Sequence, residues 1–188
     1  NLINITADNG NISKINNFSF EYQPENNFNG LDTIHLDLSV LNSTNIPLTL
    51  NIFVIGINDM PIIHDSNYTL NEDQTVIINI LENISDIESD HIKIIKVISN
   101  IGSKCFIDNN KIIYEPLHNY NGVDTIIYSV YDGANIAEGI VNINIVSIND
   151  SPIISDTTLE INEDTSITIN LLNYISDVDN NDASLTIS

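Results

Sequence analysis

Ile57-Asn58-Asp59-Met60-Pro61 occurs a second time as Ile148-Asn149-Asp150-Ser151-Pro152, and 149 minus 58 sets a period of 91 residues. A period of that size is longer than a solenoid repeat and corresponds to one small domain per repeat. Each copy closes an alternating apolar run. Before the first, Leu48, Leu50, Ile52 and Val54 alternate with Thr49, Asn51, Phe53 and Ile55; before the second, Val141, Ile143 and Ile145 alternate with Asn142 and Asn144. Alternation with period two places one face in a core and the other toward solvent, so these runs are strands. At the end of each, two polar side chains cap a turn and a proline forbids continued central pairing, which marks a junction between domains.

Working outward, Val76, Ile78 and Ile80 recur 91 residues later as Ile167, Ile169 and Leu171. On the other side, Tyr22-Gln23-Pro24 followed by Asn27-Phe28-Asn29-Gly30-Leu31-Asp32-Thr33-Ile34 recurs as Tyr114-Glu115-Pro116 followed by Asn119-Tyr120-Asn121-Gly122-Val123-Asp124-Thr125-Ile126. There the offset is 92, as 122 minus 30 shows, so one residue is gained or lost before the junction. The chain divides into residues 1–57, the C-terminal part of a repeat; 58–148, a complete repeat; and 149–188, the N-terminal part of a third. Both ends read as cutting through repeats. Within the complete repeat, seven strand-like runs fall near 66–70, 74–80, 91–98, 104–107, 111–115, 124–131 and 137–147, the number of an immunoglobulin-like sandwich. Helix signals are weak; Leu81-Glu82-Asn83-Ile84 reads at most as a turn. The fold class is all-β, as tandem seven-stranded sandwiches. The third segment ends in a strand-like Leu185-Thr186-Ile187-Ser188 and cannot close a core alone, so it is expected to be poorly packed or to expose strand edges.

Composition sets limits on function. Hydrophobic residues at 42% against 16% charged residues supply packed cores and argue against disorder. The 26 acidic residues face five lysines and no arginine, a formal charge of −21. Such a surface repels nucleic acid and anionic membranes and accommodates cations; acidity for solubility alone is the other reading. The single cysteine, Cys105, has no partner in the chain and lies in the apolar run Lys104-Cys105-Phe106-Ile107, as expected of an inert buried thiol. No run is long enough to span a membrane, so this segment is not expected to insert into one.

The order Asn-Asp-x-Pro, then Asn71-Glu72-Asp73-Gln74-Thr75, Asp86-Ile87-Glu88, Tyr120-Asn121-Gly122-Val123-Asp124-Thr125 and Tyr128-Ser129-Val130-Tyr131-Asp132-Gly133 resembles the bacterial cadherin-like tandem repeats of very large surface adhesins. The resemblance covers the whole chain. It implies a seven-stranded Greek-key sandwich, end-to-end stacking on neighbouring repeats of the same chain, export to the cell surface, and calcium held at the junctions. Because the loops of such a sandwich alternate between its two ends, Glu72 and Asp124 are expected near the lower junction. Asn149, Asp150, Asp177 and Asp179 approach that junction from the far side. At the upper junction the same logic gathers Asn58, Asp59, Asp86, Glu88 and Asp132, with Asp32 from the first repeat. Facing carboxylates repel unless a cation neutralises them. Departures from the pattern include the short Asn58-Asp59 linker and Val40-Leu41-Asn42 near the place where the later repeat has Tyr131-Asp132-Gly133. The alternative is that Asn58, Asp59, Asn149 and Asp150 only cap turns.

Other chemistry finds little support. His35, His64, His91 and His118 lack metal-type spacing, and no Gly-x-Ser-x-Gly, phosphate loop or zincin motif occurs, so the segment is not expected to be an enzyme. Tyr22, Tyr114 and Tyr128 are expected to pack in the core, and Asp124 also reads as a tie between the Asn121-Gly122 turn and the following strand. The expected function is a structural stalk or spacer of a large secreted or surface-anchored adhesin, any host or biofilm ligand being met through other domains. The alternatives are a ligand-recognition sandwich for a glycan or protein, and an accessory domain of a secreted hydrolase.

Overall fold

The computed structural model describes residues 2–39, 45–88 and 91–180. The strand expected at 185–188 and the segment 40–42 lie outside the described residues. The chain forms two compact units, Asn1–Met60 with Asp86–Asp90, and Pro61–Ser85 with His91–Ser188.

The first unit contains β1 (Leu2–Ala7), β2 (Gly10–Lys14), β3 (Phe20–Pro24), β4 (Gly30–Leu38) and β5 (Ile46–Val54). A three-stranded antiparallel sheet runs β1-β4-β5, and β2 and β3 form a hairpin. Ile34 and Leu36 are its buried centre, packed by Ile5, Ile12, Phe20, Tyr22 and Ile52. Asn27 and Gly30 both take positive φ, 62° and 114°, where asparagine and glycine are the residues that tolerate the left-handed region.

The second unit begins with β6 (Ile62–Ile63), β7 (Ser66–Asn71), β8 (Val76–Ile78), a 3-10 turn over Ile80–Asn83 and β9 (Ile84–Ser85). It continues through β10 (Lys93–Ser99), β11 (Lys104–Asp108), β12 (Lys111–Glu115), β13 (Gly122–Tyr131) and β14 (Ile136–Val146). One sheet runs β10-β13-β14-β7 and the other β11-β12-β8, which together make an immunoglobulin-like β-sandwich, while β6 and β9 pair separately. Each of the seven expected runs contains a strand; the 91–98 run starts only at Lys93, and the 74–80 run keeps only Val76–Ile78 extended. From Ile80 the chain winds into the 3-10 turn, where Asn79 Nδ2 donates to Glu82 Oε1 at 2.7 Å. Asn109 and Asn110, both at positive φ (47° and 58°), make the two-residue loop of the β11–β12 hairpin, the backbone such tight turns require.

Alternation delivers the core. Along β14 buried and exposed residues alternate without a break, sending Ala137, Val141, Ile143 and Ile145 inward. These pack with Ile78 and Ile112 from the other sheet and Ile80 from the 3-10 turn, and Tyr114 and Tyr128 are fully buried among them. The pairing that simple alternation does not reveal is that β7 joins β14 in parallel, from Val141 opposite Ser66 to Val146 opposite Asn71. Gly139 has a packing reason: a Cβ there would lie 2.5 Å from Tyr128 Cζ and 2.6 Å from Ile63 Cγ2. The first unit makes the reverse choice at the matching cross-strand pair, Leu36 opposite Leu48 where the second has Tyr128 opposite Gly139.

The unit closes with β15 (Ile153–Ile154), a second 3-10 turn over Leu171–Tyr174 and β16 (Ile175–Ser176), which pairs with β15. Residues 155–170 carry no strand, and their apolar side chains, Ile167 and Ile169 among them, are exposed.

Candidate junction site

The Asn-Asp motif closes the same small circuit at both of its occurrences. Asn58 Nδ2 donates to the carbonyl of Asp59 at 2.8 Å, and Asp59 N donates to Glu88 Oε2 at 3.2 Å. Ninety-one residues on, Asn149 Nδ2 donates to the carbonyl of Asp150 at 2.6 Å, and Asp150 N donates to Asp179 Oδ2 at 2.5 Å. Each asparagine holds its own turn, which is the capping role, and each aspartate amide engages a carboxylate 29 residues ahead. Capping and a charged junction are thus two parts of one arrangement.

The copy at 149–150 collects further acidic groups. Asp177 Oδ1 accepts from the amides of Asp179 (3.0 Å) and Asn180 (2.9 Å), and Asn180 Nδ2 reaches both Asp177 Oδ1 and Asn149 Oδ1. Glu72, almost wholly buried, accepts from Ile148 N at 2.6 Å through Oε1, and its own amide donates to the carbonyl of Val146. This ties the β7 end to the junction. Next to it Asp73 Oδ1 takes the amide of Asn119 at 3.0 Å and pairs with His118 Nδ1 at 2.9 Å. That hydrogen bond holds the Asp73 carboxyl below its ordinary range and raises His118 above its own.

Asp150 is the group under strain. Among the described residues its buried Oδ2 has no hydrogen-bond partner, and burial pushes its carboxyl up, with Asp179, Asp73 and Glu72 adding like-charge repulsion. Among the described residues no three His, Cys, Asp or Glu side chains already converge as metal ligands. The Asp150 carboxylate, with Asp177 and Ser151, lines a pocket at this end of the repeat.

The other expected residues sort differently. Asp32 and Asp124 are turned inward and their oxygens are already used. Asp124 Oδ2 accepts from Ser99 Oγ (2.6 Å) and Tyr114 Oη (2.8 Å), and Oδ1 from the amides of Thr125 (2.6 Å) and Ile101 (3.3 Å). In the first unit Asp32 Oδ2 accepts from Tyr22 Oη (2.6 Å), and Oδ1 from the amides of Thr33 and Asn9. Burial would raise the Asp32 carboxyl, but these donors together hold it below its usual value; Tyr22, partly buried against the carboxylate, is pushed up to about 12. Both aspartates are interior locks that pin the corner after the preceding long strand. Asp124 therefore serves a farther corner than the Asn121-Gly122 turn to which its position assigned it. Asp132, also buried, caps the β13–β14 turn through the amides of Ala134 and Asn135, both at 2.7 Å. Asp86 and Glu88 are half-buried, and Glu88 holds Asp59 as described.

Sequence reading overlooked Asn180 and the Asp73–His118 pair. The signals were present: Asp177, Asp179 and Asn180 bring three oxygen-bearing side chains within four residues, and Asp73 recurs 91 residues on as Asp164.

Residues 58–144 match the family model of the bacterial Ig domain, in keeping with the β-sandwich of the second unit. Domains of this family are structural or accessory modules and are generally non-catalytic. No curated protein matches the chain. Among solved structures it is similar to an endo-fucoidan hydrolase from glycoside hydrolase family 107, at 12% identity and TM-score 0.38 over 81% of this chain and 26% of that one. It is similar also to the titin Ig tandem domains, at 7% identity and TM-score 0.31 over 77% of this chain and 82% of that one. The chain spans about a quarter of the length of the fucoidan hydrolase. Among the described residues no helix is long and apolar enough to cross a membrane.

Proposed function

We propose that this chain is a load-bearing spacer in a secreted or surface-anchored adhesin, built from tandem Ig-like repeats whose junctions are rigidified by calcium. The observation that carries the reading is the orphaned Oδ2 of Asp150, set among Asp179, Asp73 and Glu72 at the motif that punctuates the repeat. Asp150, Glu72, Asp177, Asp179 and Asn149 would hold the ion, which supplies positive charge where carboxylates otherwise repel. The chain's own groups do the rest: Ile148 N fixes Glu72, Asn180 fixes Asp177, and Asn149 holds its turn. The module performs no chemistry; it transmits force and sets the angle between its neighbours.

Calorimetric calcium titration of the whole chain, with small-angle scattering at each end of the titration, tests this. We expect binding in the micromolar to millimolar range that Asp150→Asn with Asp177→Asn abolishes. Absence of binding at millimolar calcium, with unchanged scattering, would falsify the rigid-joint reading.

A further inference from the structure

The outer face of the four-stranded sheet in the second unit carries an apolar row. Ile98 on β10 pairs with Ile127 on β13, and Ile127 pairs with Ile140 on β14. Alternate residues of these strands fill the core, so the three isoleucines point outward, 48%, 41% and 40% exposed. On one side of the row lie Lys96, Ser129 and Glu138, again cross-strand partners; on the other lie Thr125 and Asn142. An apolar centre with a polar rim is the layout of an interaction surface. The fold does not require it: the repeat counterparts in the first unit are Thr6, His35 and Thr49, paired strand to strand in the same way.

Charge favours one occupant, a second copy of this chain. Although the chain carries a net charge of −21, Glu138 is the one acidic side chain directed outward from β10, β13 and β14, since Asp124 is turned inward. Lys93 and Lys96, two of the five lysines, stand on β10. The repulsion that an acidic surface imposes on a like copy is therefore least here. The opposite outer face, with the row Phe106, Ile113 and Ile77, offers less. There Lys104 lies 5.3 Å from the centre of the Phe106 ring and already pairs with Glu115 at 2.7 Å.

We infer that two copies of this chain associate face to face through the outer surface of β10, β13 and β14, related by a half-turn about an axis running along β13. That operation keeps each residue's height along the strands and exchanges the places of β10 and β14. Ile127 meets its own counterpart, Ile98 meets Ile140 of the second copy, and Lys96 meets Glu138 of the second copy, the last two contacts each occurring twice. Sheets stacked in this way lie about 10 Å apart with their strands within about 30° of each other. Three strands about 4.8 Å apart, with the ten residues of β13 rising about 3.4 Å each, cover about 500 Å² per copy. That is the lower limit of a specific interface, so the dimer is weak, with Kd on the order of 100 µM.

Sedimentation equilibrium of the whole chain, from about 10 µM to about 1 mM, reads the outcome. The parent is expected to reach a dimer and stop there, because an isologous contact closes on itself. Ile127→Lys sets two ammonium groups against each other on the axis and should weaken association about tenfold or more, whereas Ile77→Lys on the opposite face should leave it unchanged. Lys96→Glu and Glu138→Lys should each weaken it alone. An equimolar mixture of those two variants should regain the dimer, since the mixed pair sets glutamates only against lysines. All four positions are exposed, so the variants should keep the parent's circular dichroism. A chain that stays monomeric at the highest concentration, association unmoved by Ile127→Lys, or a mixture that fails to regain the dimer overturns the inference. Loss with Ile77→Lys overturns it in favour of the opposite face. The contact uses neither the junction residues nor calcium, so its failure and that of the calcium reading are separable.

Discussion

Ile78 and Ile169 hold the same position in successive repeats, each in an alternating run that ends in a 3-10 turn, yet Ile78 is sealed from solvent and Ile169 is 47% exposed. The difference lies in what each meets among the described residues. Ile78 packs in the core with Ile112 and Val141, whereas Ile169 belongs to no such cluster among the described residues. An apolar pattern prescribes which face will be buried, but burial needs a second layer. Local features survive without one: β15 and β16 pair as β6 and β9 do, and Asn170 caps its turn by accepting from Leu172 N.

The largest expected effect tests that contrast directly. Ile78→Ala should cost about 2–5 kcal/mol in urea unfolding followed by tyrosine fluorescence, whereas Ile169→Ala should stay within about 0.5 kcal/mol. Equal costs would break the comparison.

Asp124→Ala should cost about 3 kcal/mol, because it strands Tyr114 Oη, Ser99 Oγ and two amides in the interior. Tyr114→Phe removes one donor from that set and should cost about 1 kcal/mol in the same assay. A near-neutral Asp124→Ala would show that the interior lock contributes nothing to stability.

Gly139→Ala should cost about 1–3 kcal/mol by forcing Tyr128 and Ile63 apart. Adding Tyr128→Leu, which imitates the Leu36–Leu48 solution of the first unit, should recover part of that loss in thermal unfolding.

The smallest effect concerns the Asp73–His118 pair. Since His118 is raised, its contribution is complete below its unfolded value of about 6.5 and is lost as pH rises through the folded one. Asp73 is lowered, so its share is lost as pH falls through its folded value, below about 3.8. Imidazole titration by NMR should place His118 above its ordinary range and return it toward that range in Asp73→Asn. An unchanged midpoint would remove the pair from the junction's electrostatics.

Much of the fold was legible because its signals are local. Alternation located the strands, and Asn27, Gly30, Asn119 and Gly122 marked turns where positive φ is needed. The parallel pairing of β7 with β14 was not legible, since partners such as Ile143 and Tyr68 lie 75 residues apart and no local rule links them. The candidate site was half legible: the acidic residues around Asn149 and Asp150 were expected together, while Asp32 and Asp124 looked like the rest and turned out to serve the interior.

The sequence by itself determined the 91-residue period, the alternating strands and the placement of Asn-Asp at each junction, because repetition and side-chain periodicity are properties of the chain alone. Only the tertiary structure decided which carboxylates are consumed inside and which oxygen is left over. Asp124 draws two donors from the corner over 20 residues away, whereas Asp150 Oδ2 finds none among the described residues.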